Sequence, residues 1–446
     1  MKISNYTLLF DIENKEFFTY NTLSNALIEI DEETYSQLRR LQSDKTEFDC
    51  SLFDAELYKV LSDNNILTEN EKDDFLLYKS IIWRQRQQNN SMHLTIAPTM
   101  DCCFKCHYCF ERYKAKEHMS ETVMNSIVKY VTSFKDLASL KLTWFGGEPL
   151  MAPYEIEAFD KKLKKEFSKT ITSNIITTWF HINTEIIKIL KNAGITSAQI
   201  TLDGKKETHN KIKFVNDCDD VFEKFMRNVE LLNDTAPDIE VVFRVNLTKE
   251  NAGEYVDLYN YLMSRFKGRK NIAASPAFVM DRGASNLQSV DKSIFFNHKE
   301  RSEYILNLTN KYHLDSPFIR YPKPFFYECA IRNNLAISFD AEGNAYKCWE
   351  LIGNKEYMIG QINDNVQLTN INPKNLNRQN FGADPLDSPQ CIRCKFLPIC
   401  NGGCPIQRIE NEFEGKNNCT CTPYKDYMED FLKLHIALKK QGYQNY

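Results

Sequence analysis

Three cysteines in one short stretch limit what this chain can fold into more than any other feature does. Met100–Glu111 reads MDCCFKCHYCFE, with Cys102, Cys106 and Cys109 at C-x3-C-x2-C spacing. The apolar run His93–Ala97 precedes them and a helical segment follows, so a loop brings three thiolates into one small volume. Three thiolates can hold three irons of a four-iron cubane and leave the fourth iron to an exchangeable chelator, as a cluster needs for chemistry rather than electron storage alone. A zinc site would want a fourth Cys or His nearby, and His107 lies between two ligands where its ring points away. Thiols gathered by packing are the other alternative, and Cys103, off the spacing, reads as a packed or free thiol.

From Met92 onward apolar strands alternate with amphipathic helices, which argues for βα units and a parallel sheet. His93–Ala97 is the first expected strand. Ser120 is positioned to cap a helix with Val123, Ile127 and Val131 on one face. Lys141–Phe145 is the second strand and runs into Gly146-Gly147-Glu148-Pro149, a double glycine that lets backbone approach a ligand, with a carboxylate able to accept from an ammonium group. Ile175–Thr178, Gln199–Leu202, Ile239–Val245 and Ile272–Val279 complete six strands, with a helix from Asn183 to Asn192 closed by Gly194. Another helix carries Phe222, Met226 and Val229.

The cysteine spacing, with GGEP about 37 residues later on the second strand, resembles the radical S-adenosylmethionine (radical SAM) enzymes. The resemblance implies an open partial (β/α)6 barrel, with these motifs at the carboxyl ends of strands where such sheets bind ligands. It implies that the open iron takes the amino and carboxylate groups of SAM, and that one electron then yields a 5'-deoxyadenosyl radical that abstracts hydrogen. Carried onto this sequence, Tyr108 lies against the adenine, Gly146, Gly147 and Glu148 bind the SAM amino group, and Arg244, in the Arg-x-Asn of Arg244 and Asn246, pairs with the SAM carboxylate. Asp203-Gly204, with His209 shortly after, resembles the family's fourth-strand motif; Asp203 binds the ribose, lines the cavity, or is simply part of a turn. Thr177-Thr178-Trp179 departs from the family, in which many members have Thr-Asn-Gly.

Residues 1–85 read as a separate unit. Thr7–Phe10, Phe17–Tyr20 and Ala26–Ile30 are expected strands, followed by helices carrying Tyr35, Leu38 and Leu41, then Leu57, Val60 and Leu61. This outline is similar to the winged-helix PqqD-like element that recognises a precursor's leader peptide by strand addition to an open sheet edge. A structural cap on the barrel is the alternative, and Leu76–Gln88 is the expected linking helix. Residues 86–284 form the expected barrel and 285–326 a bridge, helical around Ile294–Leu314 and punctuated by Pro317, Pro322 and Pro324.

Fourteen cysteines would suggest disulfides in a secreted chain, but thiols clustered at metal spacings read as ligands in a reducing compartment. The N-terminal run is followed at once by acidic residues, so neither a signal peptide nor a membrane span is expected, and the expected location is cytoplasmic. A net charge of −4 with charges spread along the chain gives no footprint for nucleic acid. The second cysteine group holds Cys329, Gly343-x4-Cys348, Cys391-x2-Cys394-x5-Cys400-x3-Cys404, Cys419 and Cys421, with a hairpin expected over Ala336–Cys348. A zinc ribbon would use part of it. The full order over 327–425 resembles the SPASM domain, which carries two auxiliary four-iron clusters. That resemblance assigns Cys391, Cys394, Cys400 and Cys421 to one and Cys329, Cys348 and Cys404 to the nearer one, whose fourth position is open or not a cysteine; Tyr424 favours Cys421 over Cys419. The stripe Tyr427, Phe431, Leu434 and Leu438 of the last helix, in residues 426–446, reads as packing.

The resemblances imply SAM and three [4Fe-4S] clusters as cofactors. They imply as partners a precursor peptide with its leader and an electron donor such as flavodoxin or ferredoxin, with no nucleic acid and no membrane. The expected activity is that of a peptide maturase making a thioether or another side-chain crosslink. The alternative is a sulfatase maturase oxidising Cys or Ser to formylglycine; those enzymes carry an aspartate base after the Gly-x4-Cys cysteine, where this chain has Trp349. A metal-bearing peptide chaperone without catalysis is a further alternative.

Overall fold

The computed structural model describes residues 1–109, 111, 115–280, 291–312, 314, 321–365 and 367–442. Part of the expected bridge, including Pro317, lies outside them. Among the described residues, no helix is long and apolar enough to cross a membrane.

The N-terminal unit holds β1 (Lys2–Ile3), β2 (Thr7–Ile12), β3 (Glu16–Asn21), β4 (Leu27–Ile30) and β5 (Leu67–Thr68). Strands β2, β3 and β4 form an antiparallel sheet, and β1 pairs with β5. Helices Glu32–Asp44 and Ala55–Asp63 start on Asp31 and Asp54, whose carboxylates accept from backbone amides of the first turn. They close one apolar layer with Tyr35, Leu38 and Leu61. Leu8, Phe10, Phe18 and Tyr20 of the sheet pack instead against Met428, Leu432 and Ile436 of the last helix, Met428–Lys440, which is therefore a packing element.

Six parallel strands follow, β6 (Ser91–Ile96), β7 (Ser139–Trp144), β8 (Thr170–Thr177), β9 (Ile195–Leu202), β10 (Glu240–Leu247) and β11 (Ile272–Phe278), each beside its sequence neighbour. Their side chains alternate with period two. Val241, Phe243, Val245 and Leu247 of β10 are fully buried on the outer, helix-covered face, while Arg244 and Asn246 point to the interior. The expected caps are present: Ser120 accepts from Val123 N ahead of the helix Glu121–Ser133, and Asn183 from Ile186 N ahead of Thr184–Asn192.

The barrel sheet does not stop at β6. Strand β12 (Ala336–Phe339), from the cysteine-rich region, pairs parallel to β6 with Ala336 opposite His93 and Phe339 opposite Ile96. It turns through Asp340–Asn344 into β13 (Asn344–Tyr346), the expected hairpin, and β14 (Gly360–Ile362) and β15 (Leu368–Thr369) extend the sheet to ten strands. The edge that six βα units would leave open is thus covered by backbone, which removes a row of unpaired amides.

Phe243 is fully buried in the outer layer, its ring 5.7 Å from that of Phe266. Phe243→Ala is expected to cost about 3–5 kcal/mol, read as a lowered midpoint in anaerobic denaturant unfolding.

Candidate active site

The carboxyl ends of the parallel strands open on a cavity of about 1170 Å³, counting its mouth. Cys102, Cys106 and Cys109 line it, as do Gly146, Gly147, Arg244 and Asn246; His107 does not. The loop that carries the thiols is held from below by the double glycine. Phe145 N donates to Ile96 O at 2.9 Å, Gly147 N to Thr99 O at 3.2 Å and Glu148 N to Asp101 O at 2.8 Å. A Cβ on Gly147 would stand 2.2 Å from Asp101 O, and one on Gly146, whose φ is +108°, 2.5 Å from Thr99 O. The close approach the glycines permit is therefore first to the cysteine loop itself.

Glu148 is fully buried and lies behind the cavity wall rather than on it. Its carboxylate accepts from Leu150 N at 2.9 Å, Thr177 Oγ1 at 2.5 Å, Thr178 N at 2.7 Å and Thr178 Oγ1 at 2.5 Å. Four donors already satisfy it. The Thr177-Thr178 pair is thus fixed to the GGEP turn, and Trp179, the third residue, takes a left-handed φ of +65°. Such a conformation costs an aromatic residue about 1–3 kcal/mol. Full burial of the ring, and Asn228 Nδ2 donating to its carbonyl at 2.8 Å, keep it there.

Tyr108, Asp203, Lys213, Asn246 and Arg244 form one chain of contacts, with Asp203 and Lys213 buried and the other three half-buried. The Tyr108 hydroxyl donates to Asp203 Oδ1 at 2.5 Å, and Asn246 Nδ2 and Lys213 Nζ each reach the hydroxyl at 3.1 Å. Lys213 also pairs closely with Asp203 Oδ2, and Arg244 Nε donates to Asn246 Oδ1 at 3.3 Å. Burial pushes the Asp203 carboxyl up, but the Lys213 charge and its hydrogen bonds carry it below the usual carboxylate range. Burial, with Lys213 beside it, drives His209 down to about 3, so its Nδ1 accepts from Asp203 N at 3.3 Å and the imidazole is no partner ion. Asp203 consequently stands behind Tyr108 as the counter-ion of Lys213, whereas Lys213, Arg244 and Tyr108 face the cavity. Lys213 was not singled out from sequence. Its only signal there is a lysine between Ile212 and the apolar Phe214-Val215, ten residues past Asp203.

The cysteine-rich region closes one wall with Trp349 and Glu350, and Trp349 stacks edge-on with Phe145 at 5.0 Å. Behind them Cys329, Cys348 and Cys404 pack in one apolar cluster with Ile331, Tyr346 and Ile406. Burial pushes the Cys348 thiol up, with Cys329 and Cys404 adding to the rise. Separately, burial raises Cys400 to about 11, with Cys421 and Cys391 beside it, and Cys421 in turn senses Cys419, Cys394 and Cys391. The second cysteine group thus gathers in two places, Cys329, Cys348 and Cys404 in one and Cys391, Cys394, Cys400, Cys419 and Cys421 in the other. A bound metal deprotonates buried thiols of this kind outright. Among the described residues no three Cys, His or carboxylate side chains surround one point as a single ion would require; a cubane asks one thiolate of each iron, which three thiols lining one cavity can meet.

Residues 96–262 match the profile of the Radical SAM superfamily. These residues form a radical SAM domain, the chain is an iron-sulfur enzyme, and its fold is that of SPASM-type structures. The cysteine-type anaerobic sulfatase-maturating enzyme of Clostridium novyi is 23% identical to it over 389 residues, covering 80% of this chain and 100% of the relative. The radical SAM cyclopropyl synthase TigE of Paramaledivibacter caminithermalis is 21% identical, covering 92% and 90%. Among solved structures, native anSMEcpe with bound AdoMet and Kp18Cys peptide gives a TM-score of 0.59 at 20% identity, covering 78% of this chain and 98% of that one. Streptococcus suis SuiB bound to precursor peptide SuiA gives 0.52 at 15%, covering 90% and 95%.

Replacing Lys213 by Met leaves the Asp203 carboxylate buried without its cation. The expected loss is about 3–5 kcal/mol, seen as a lower thermal midpoint by circular dichroism.

Proposed function

We propose that the chain matures a ribosomally made peptide, installing a thioether or another side-chain crosslink. One observation carries the choice. The sulfatase maturases use nearly their whole length against about four fifths of this chain, whereas TigE and SuiB extend over nine tenths of it. What lies beyond is of the size of the N-terminal unit, with its three-stranded sheet and helices. Strands β2 and β4 are the two edges of that sheet, each paired only with β3 among the described residues, and a leader peptide would add as an extended strand at one of them.

Cys102, Cys106 and Cys109 would hold the cluster, and the seven cysteines from Cys329 to Cys421 two more, Cys419 being outside the set. SAM bound at that cluster supplies a carbon radical able to abstract hydrogen. The chain's own work is positioning. Gly146 and Gly147 present backbone at the cavity, Arg244 offers a guanidinium to the SAM carboxylate, and Tyr108, held by Asp203, Lys213 and Asn246, offers a fixed aromatic face. Glu148 and Asp203 would act behind this surface, anchoring Thr177-Thr178 and Lys213. Trp349 and Glu350 form the wall against which a core peptide would lie and exclude water there.

Sulfatase maturation is the second reading, favoured by the Clostridium and Bacteroides relatives at 22–23% identity. Trp349, standing where those enzymes are expected to carry an aspartate base, weighs against it.

The deciding experiment is anaerobic incubation of the reconstituted enzyme with SAM, a reductant and the peptide encoded beside its gene. Loss of two hydrogens per modification, with 5'-deoxyadenosine formed, is the expected result; conversion of a sulfatase peptide's Cys or Ser to an aldehyde instead would establish the second reading. Arg244→Ala should weaken SAM binding by about tenfold to a hundredfold, the worth of one hydrogen bond to a charged group, as measured by isothermal titration calorimetry.

A further inference from the structure

Where the helix Glu71–Arg86 meets the cysteine-rich region, three arginines come together, Arg86 and Arg332 buried and Arg408 half-buried. Arg86 Nε donates to Glu328 Oε2 at 2.5 Å, and its two terminal nitrogens clamp Asp384, one of them at 3.0 Å from Oδ1. Arg332, only 3% exposed, donates to the carbonyls of Gly382 at 3.1 Å and Ala383 at 3.2 Å, while its Nε is buried with no hydrogen-bond partner. Arg408 donates through Nε to Ala383 O at 2.7 Å and through a terminal nitrogen to Cys391 Sγ at 3.5 Å. Glu328 immediately precedes Cys329 and accepts from its amide at 3.0 Å. The trio therefore touches one cysteine of each group, Cys391 through the Arg408 side chain and Cys329 through the Arg332 backbone, whose N donates to Cys329 O at 2.9 Å.

The charge count is uneven. Among the described residues, this knot holds three guanidinium groups and two carboxylates, Glu328 and Asp384, which leaves one positive charge in excess. Arginine does not shed its proton to escape burial, and a buried charge without its counter-charge is costly. An anionic, thiolate-ligated cluster on either side would supply that counter-charge. Net charge and hydrogen bonds to sulfur are among the terms that set the reduction potential of such clusters.

We propose that Arg86, Arg332 and Arg408 form an electrostatic bridge between the two auxiliary cluster sites that raises the reduction potential of both. The bridge rests on the reading of the seven cysteines as two cluster sites. It also places Arg86, at the end of the helix that leaves the N-terminal unit, in the electrostatics of the clusters.

The test is an anaerobic redox titration of the reconstituted full-length protein, followed by electron paramagnetic resonance. Arg408→Gln removes a positive charge and is expected to lower the reduction equilibrium of an auxiliary cluster at least about tenfold, about 59 mV for a one-electron couple. Arg408→Lys should restore most of it. Glu328→Gln removes a negative charge and should shift the potential the opposite way, while the cluster on Cys102, Cys106 and Cys109 stays put in all three variants. Full iron content with unmoved auxiliary potentials, or shifts of the same sign in Arg408→Gln and Glu328→Gln, would overturn the bridge. If Arg408→Gln loses its iron, Glu328→Gln decides alone: a rise supports the proposal, and no rise ends it. Iron content of the wild-type protein separates the two levels, because about four irons in place of about twelve would refute the cluster sites themselves.

Discussion

The site depends on one steric fact, the backbone of the cysteine loop lying directly on Gly146-Gly147. Any side chain at Gly147 would run into Met100 and Asp101 within about 2.3 Å of their carbonyl oxygens. The contact sets the height of the loop above the sheet, and through it the place of Cys102, Cys106 and Cys109 at the cavity mouth. Glu148 completes the arrangement from the other side, because its carboxylate ties the same turn to Thr177 and Thr178 on the next strand. Two adjacent strand ends and the thiol loop are thereby locked as one piece.

Above that base the cavity carries a set of polar side chains for a reason visible in the strands. The outer faces of β8, β9 and β10 are spent on burial against helices, so period-two alternation turns Gln199, Thr201, Arg244 and Asn246 inward. Inward polar groups need partners, and the chain supplies them as a connected set from Tyr108 through Asp203 and Lys213 to Arg244. Most of this set answers to other protein groups before any ligand arrives. That is preorganisation in the physical sense, since side chains already fixed lose little freedom on binding.

The cysteine-rich region is joined to the barrel more intimately than a linked domain would be. Strand β12 continues the barrel sheet, Trp349 and Glu350 finish the cavity, and the last helix returns to the N-terminal sheet. The arginine knot at Asp384 lies on this joint. A chain built so distributes its metal-ligand candidates over segments nearly a hundred residues long, yet holds them on one continuous scaffold.

Spacing and periodicity alone located the cysteine loop, the six strands, the hairpin over Ala336–Cys348 and the caps at Ser120 and Asn183, because each is written within a few neighbouring residues. The resemblance to the radical SAM family pointed to Arg244 and Asn246 on one strand, and the fold turns both inward. The protein partners of Glu148 and Asp203 were not legible: from sequence each is a carboxylate after a strand, and only the fold shows one bonded to Thr177-Thr178 and the other to Lys213 and Tyr108. The joining of β12 to β6 and the meeting of Arg86, Arg332 and Arg408 were equally hidden. These pairings link residues tens to hundreds of positions apart, and no local pattern encodes them; they are selected when the whole chain must bury its apolar faces while giving each buried polar group a partner.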